Sequence, residues 1–192
     1  MHMAYKVGVF IGSLAKESIN RKLAKAVMRM APPSLQFSEI PIKDLPLYSY
    51  DYDAAYPPVA RDFKQAIESV DALLFVTPEY NRSIPGVLKN AIDWGSRPWG
   101  KNSFALKPSA VIGASIGAIG SAVGQQHLRS ILSYVNSPEL AQPEVYIHFT
   151  PGLIDDNGNI SVQSTADFLK DWMSKFETFI GKVATAEGRA KP

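Results

Sequence analysis

Five short apolar runs alternate along the chain with segments whose apolar residues recur every three or four positions. Tyr5 to Ile11 is the first run, and it stops at Gly12-Ser13. Ile19, Leu23, Val27 and Met30 follow at helical spacing, with Lys22, Lys25 and Arg29 on the opposite face and Pro32-Pro33 closing the helix. Leu35 to Ile40 alternates apolar and polar residues, which predicts a strand at a sheet edge. Asp71 to Thr77, Pro108 to Ser115 and Val145 to His148 are the other strands, the first two apolar enough to be buried on both faces. Helices are predicted around Phe63, after Gly86, around Leu128 and from Phe168 to Ile180, with a small polar tail after Gly181 that frays.

Strand and helix in strict alternation, with no internal repeat or linker, predict one α/β domain: a parallel sheet covered by helices on both faces. Because the second strand reads as an edge, the doubly wound order 2-1-3-4-5 fits best. In that order the first and third strands lie side by side at the switch point, and ligands of such sheets bind outside the strands' carboxyl ends. The sequence there is Gly12 to Arg21 on one side and Pro78 to Gly86 on the other. From Pro41 to Pro58 there are four tyrosines and four prolines without a period, a long loop that packs as a turn, lines a pocket or meets a second subunit.

Composition narrows the chemistry. The 192 residues are 46% hydrophobic and 20% charged, which suits one soluble domain with a sizeable core. No apolar run is long enough to span a membrane and no signal peptide is legible, so a cytoplasmic location is expected; Met1-His2 carries no weight. A net charge of +2 gives no argument for nucleic acid. There is no cysteine, so thiolate nucleophiles, thiolate metal sites and disulfides are excluded, and redox chemistry would need a bound cofactor. The three histidines, His2, His127 and His148, are too scattered for a metal site, and no Gly-x-Ser-x-Gly elbow is present. Lys89 and Asp93 read as a solvated helix pair.

The loop Gly12 to Arg21 has the parts of a phosphate cradle: Ser13, Ser18 and Asn20 beside a positive helix terminus, with Ser18 or Asn20 alternatively serving only as the cap. It is neither a Walker loop nor Gly-x-Gly-x-x-Gly, which favours a terminal monophosphate over a triphosphate or dinucleotide. Between Pro78 and Pro85 the chain is stiffened, and the amides from Glu79 to Ile84 are expected to be free to donate.

Together these loops resemble the NADPH-dependent FMN reductase family of flavodoxin-like quinone and chromate reductases. The likeness rests on Gly12-Ser13-Leu14 with Ser18, Asn20 and Arg21, on Thr77-Pro78-Glu79-Tyr80-Asn81 with Ser83-Ile84-Pro85-Gly86, on Leu88 to Trp94, and on Ser115 with Gly117 and Gly120. It runs from about residue 5 to 180 in matching order, implying that residues 1–192 form a single flavodoxin-like FMN-binding domain. It implies that Ser13, Leu14, Ser18 and Asn20 hold the FMN phosphate end. Pro78, Glu79, Tyr80, Asn81 and Arg82 would carry the ring on their backbone, and Ser115 and Gly117 would approach it from the next loop. NAD(P)H is the implied co-substrate and a quinone or similar small molecule the acceptor, with chromate, azo and nitro compounds as further candidates. Chemistry would take place on the flavin without a side-chain acid or base or a metal. The resemblance further implies a homodimer or homotetramer, the Trp94 to Trp99 region meeting the partner's flavin site. The rival readings are a flavodoxin-type electron carrier, against which the pI of about 8.7 speaks, and a phosphate-binding regulatory domain without flavin.

Overall fold

In a computed structural model, residues 4–189 are described; Met1-His2 lies outside them. The chain forms β1 (Tyr5–Ile11), α1 (Ile19–Met30), β2 (Leu35–Glu39), α2 (Pro58–Glu68), β3 (Ala72–Val76), α3 (Gly86–Ser96), β4 (Ser109–Ser115), α4 (Ala122–Tyr134), β5 (Tyr146–His148) and α5 (Gln163–Ala186). All five strands are parallel in the order β2-β1-β3-β4-β5, so the doubly wound sheet and its switch point are as expected.

Pleating sends alternate residues to opposite faces, and each face has its own core. Val7, Val9, Ile11, Leu74, Val76, Ile112 and Ala114 pack under α1 and α5. Phe10, Leu73, Phe75 and Val111 pack under α2, α3 and α4, with the rings of Phe10 and Phe75 stacked across neighbouring strands at 4.7 Å between centroids. This double burial makes β1, β3 and β4 read as unbroken apolar runs, whereas β2 has only its first residue buried.

Some element boundaries differ from those expected. The first residue of β4 is Ser109, since Pro108 has no N–H for the ladder, and β5 begins at Tyr146. Gly181 does not end the last helix: α5 continues to Ala186, and its apolar stripe carries on to the buried Ala184. The basic face of α1 also holds a turn. Lys22 pairs with Asp156 at 2.7 Å, Lys25 donates to the Asp156 carbonyl, and Arg29 donates to the Asn157 carbonyl, docking the 155–159 turn on the helix.

The stretch between β2 and α2 is ordered by long-range contacts. A single 3-10 turn, Tyr50–Ala54, interrupts it. Asn90 and Trp94 of α3 both donate to the Pro46 carbonyl, Asn90 accepts from the Tyr48 amide, and the rings of Tyr48, Tyr52 and Tyr56 surround that of Trp94 at 5.0 to 5.3 Å. These three tyrosines therefore pack the strap onto α3, while Tyr50 stays exposed.

Candidate active site

The register places Ile11 beside Val76 and Val76 beside Ile112, so β1, β3 and β4 deliver their loops to one edge in adjacent positions. Gly12 lets the first two loops touch: a Cβ there would sit 2.8 Å from Thr77 Oγ1. Gly113 does the same for β4, where a Cβ would fall 2.1 Å from the Thr77 carbonyl oxygen.

In the first loop Ser18 is the N-cap of α1, its Oγ accepting from the Arg21 amide at 3.2 Å. Ser13 Oγ accepts from the Ala15 amide at 3.4 Å. Both hydroxyls are largely buried, and because each uses its oxygen as an acceptor, each keeps its O–H to donate. The Ile19 and Asn20 amides open α1 and have no intrahelical partner. Two hydroxyl donors and two helix-terminal amides make a cradle suited to a phosphate.

The Asn20 side chain is engaged within the fold. Its side-chain amide donates to the Ala114 carbonyl and accepts from the Ala114 N–H, both at 2.9 Å and fully buried. The last rung between β3 and β4 is the Thr77 amide to the Ile112 carbonyl, and Asn20 supplies a stand-in peptide for the next one. It ties the cradle to β4. Arg21 is likewise engaged, making a bidentate pair with Glu39 at 2.7 and 2.9 Å, which raises its pKa.

The loop after β3 is a tight hairpin. Tyr80 and Ser83 exchange amide-to-carbonyl bonds at 2.9 and 3.0 Å, and the two residues between them, Asn81 and Arg82, have φ of 50° and 64°. Two left-handed residues between a paired couple match a type I′ turn. Non-glycine residues held this way cost about 1–3 kcal/mol each and collect at functional sites. The expectation that every amide from Glu79 to Ile84 is free is thus corrected: Tyr80 and Ser83 are spent on each other, leaving those of Glu79, Asn81, Arg82 and Ile84 without partners among the described residues. The Glu79 carboxylate points away, accepting from the Gly124 amide of α4 at 3.0 Å.

In the third loop the Gly117 amide donates to Ser115 Oγ at 3.0 Å, and a Cβ on Gly117 would meet nothing closer than that oxygen at 3.4 Å. Gly120 and Ser121 bend the chain into α4 with φ of 58° and 71°. Large apolar side chains stand in solvent on all three loops: Leu14 at 52%, Tyr80 at 52%, and Ile116 at 80% with Ile119 at 45% exposure. A phosphate cradle beside a row of unpaired amides and an exposed apolar fringe fits a planar, phosphate-bearing cofactor such as FMN.

A second concave feature is built from side chains. At the far end of α3 an open concavity of about 510 Å³ is lined by Tyr48, Arg97, Trp99, Asn102 and Tyr134, among others. Arg97 is held to Asp53 at 2.5 Å and lies over the Tyr50 ring at 5.4 Å. Its hydrogen bond to Asp53 raises its pKa, and burial, with Asp53, raises that of Tyr48. Trp94 is fully buried beneath the strap and cannot itself meet a partner, whereas Trp99 is exposed. His127 sits beside the platform, its Nδ1 3.1 Å from Ser83 Oγ.

The sequence profile of the NADPH-dependent FMN reductase family matches residues 5–152. Among curated proteins, a 2-hydroxy-1,4-benzoquinone reductase of a Burkholderia species is 49% identical over 178 residues, covering 93% of this chain and 97% of the relative. A quinone reductase of Pseudomonas putida is 45% identical over 181 residues, covering 94% and 97%. Among solved structures, FerB of Paracoccus denitrificans, described as a flavoenzyme NAD(P)H:(acceptor) oxidoreductase, superposes with a TM-score of 0.89 at 42% identity, covering 93% of this chain and 98% of its own.

Proposed function

The chain belongs to the NADPH-dependent FMN reductase family, and on that premise we propose that it is an FMN-dependent NAD(P)H:quinone reductase whose flavin occupies the three loops described above. The observation that carries this is the donor pattern: Ser13, Ser18 and the first amides of α1 at one loop, and the unpaired amides of Glu79, Asn81 and Arg82 at its neighbour. Ser13 and Ser18 bind the phosphate, and the positive end of α1 adds to their pull. Pro78, with its fixed φ, and the Tyr80 to Ser83 turn hold the ring platform still. The amides of Glu79, Asn81 and Arg82 face the pyrimidine edge, where they favour the electron density of the reduced ring. Leu14 and Tyr80 shield the ring, and Ser115 and Gly117 approach it from the β4 side, where the missing Cβ leaves room.

A flavin held by these loops would supply two-electron chemistry at its N5, between NAD(P)H as hydride donor and a small-molecule acceptor. Quinones are favoured as acceptors by the activities named for the relatives; chromate, azo and nitro compounds are further candidates for an open flavin face. No side chain has to carry a proton for this. We read the enzyme as a cytoplasmic homodimer or homotetramer; no helix among the described residues is long and apolar enough to cross a membrane.

The test is an absorbance spectrum of the purified protein, then anaerobic titration with NADH and NADPH and steady-state turnover with 1,4-benzoquinone. A yellow protein bleached by either nucleotide and turning over with the quinone is expected. A colourless protein that takes up no added FMN overturns the reading, and bleaching without turnover would make it an electron carrier.

A further inference from the structure

We infer that Glu79 is a positioning residue: its carboxylate locks the turn that carries the ring platform onto the N-terminus of α4, so the platform's geometry is set from the neighbouring loop. The inference rests on the flavin placement proposed above and concerns a group that points away from the ring.

The first turn of α4 lacks a side-chain cap of its own. Ser121, the residue in the N-cap position, is left-handed and makes no capping bond. Such a cap ordinarily satisfies the second or third amide of the helix. Here the third amide, that of Gly124, is taken instead by Glu79, a residue 45 positions earlier in the chain, at 3.0 Å. The Glu79 side chain is only 10% exposed, so this carboxylate is held where the positive end of a helix faces it. Its other oxygen is 3.6 Å from Arg82, which is 71% exposed and adds little.

Two further contacts make the lock rigid. A Cβ on Gly124 would lie 2.9 Å from the Ser83 carbonyl oxygen and 3.3 Å from Glu79 Cβ, so the helix can approach this closely only because Gly124 has no side chain. One turn further along α4, His127 reaches Ser83 Oγ. Glu79 and Ser83 flank Asn81 and Arg82, whose left-handed backbone is strained. Clamping both ends of that pair onto one helix is what keeps the strained turn in place and its amides aimed.

The same carboxylate is a negative charge near the site, which gives the test its sign. If Glu79 acted only through charge, both Glu79→Gln and Glu79→Ala would raise the midpoint potential of the bound flavin. If it positions donors, Glu79→Ala lowers the potential, since misaimed amides stabilise the reduced ring less. Glu79→Gln, whose amide oxygen still accepts from Gly124, stays near or above wild type. FMN is titrated into the apoproteins of wild type, Glu79→Gln, Glu79→Ala and Gly124→Ala by fluorescence quenching, the potential of each reloaded protein is measured, and each apoprotein is melted. Glu79→Ala and Gly124→Ala are expected to bind FMN about tenfold more weakly with a lowered potential, and Glu79→Gln to remain within about threefold of wild type. Apo melting temperatures should stay within about 3 °C of one another.

Wild-type affinity and potential in Glu79→Ala overturn the inference, as do equal losses in Glu79→Gln and Glu79→Ala, or a raised potential in both. Should Glu79→Ala fail to fold, Gly124→Ala tests the same contact from the helix side. A wild-type protein that binds no FMN overturns the proposed function and takes the clamp with it. Binding that no variant alters overturns the clamp alone.

Discussion

The two ends of α3 are built on opposite principles. At its start, beside the carboxyl edge of the sheet, the working groups are main chain: unpaired amides, left-handed residues, and glycines at positions 113 and 124 that let backbone approach backbone, with Gly12 making room for the Thr77 side chain. At its finish the groups are side chains: Trp94 enclosed by three tyrosines, Asn90 holding the strap, and Arg97 paired with Asp53. The first end is held by closeness and stiffness and leaves its hydrogen-bonding capacity unspent. The second satisfies nearly every polar group internally and contributes burial. A ligand site built from backbone has to be stabilised elsewhere, and the strap over α3 is one place where this chain does so.

The contrast breaks most sharply at Trp94. Trp94→Ala should cost about 4 kcal/mol, lowering the melting temperature by about 12 °C, because a fully buried ring is removed from a cluster that cannot collapse. FMN affinity of the folded protein should change by no more than about twofold if the two ends are independent. Calorimetry and FMN titration on one preparation decide this, and a collapse of affinity would show that the strap shapes the site.

Asn20→Ala should cost about 3 kcal/mol, since it strands a buried N–H and C=O of Ala114 together. Here stability and FMN affinity should fall together, because Asn20 ties the cradle to β4. Ser13→Ala with Ser18→Ala should act the other way round. FMN affinity should drop about thirtyfold, most of it recoverable in riboflavin comparisons, which lack the phosphate, while the lost cap lowers stability by about 1 kcal/mol.

The smallest effect is expected at Asp155, where a side chain orders backbone without burial. Hydrogen bonds from the Asn159 side chain and amide, and from the Asn157 amide, hold its carboxyl below the usual carboxylate range. A depressed folded pKa contributes stability that is complete above the unfolded value and is lost as pH falls through the folded one. Wild type should therefore melt slightly above Asp155→Asn at pH 6, and the gap should close below about pH 4.

Legibility in the sequence followed the same division. The sheet order could be read because each buried strand is an apolar run and each loop has its own punctuation at Gly12, Pro78 and Pro85. Ser18 as a cap could be read for the same reason, being local. The turn at Asn81-Arg82 was not legible, since no glycine marks it; Asn81, tolerant of left-handed backbone, was the only hint. The tie that Asn20 makes was not legible, because its partner, Ala114, is 94 residues away. The four tyrosines of the strap showed no period, for the order of three of them, Tyr48, Tyr52 and Tyr56, comes from Trp94 on another element.

By itself, then, the sequence determined the alternation of strand and helix, the edge position of β2, the neighbouring placement of two donor-rich loops and their likeness to an FMN reductase. All of these are consequences of periodicity, turn chemistry and motifs a few residues long. Only the tertiary structure decided which donors stay unpaired. A hydroxyl, amide or carboxylate is spent or spare according to what the fold brings within 3 Å of it, and for Asn20 and Glu79 that was backbone from distant strands and helices.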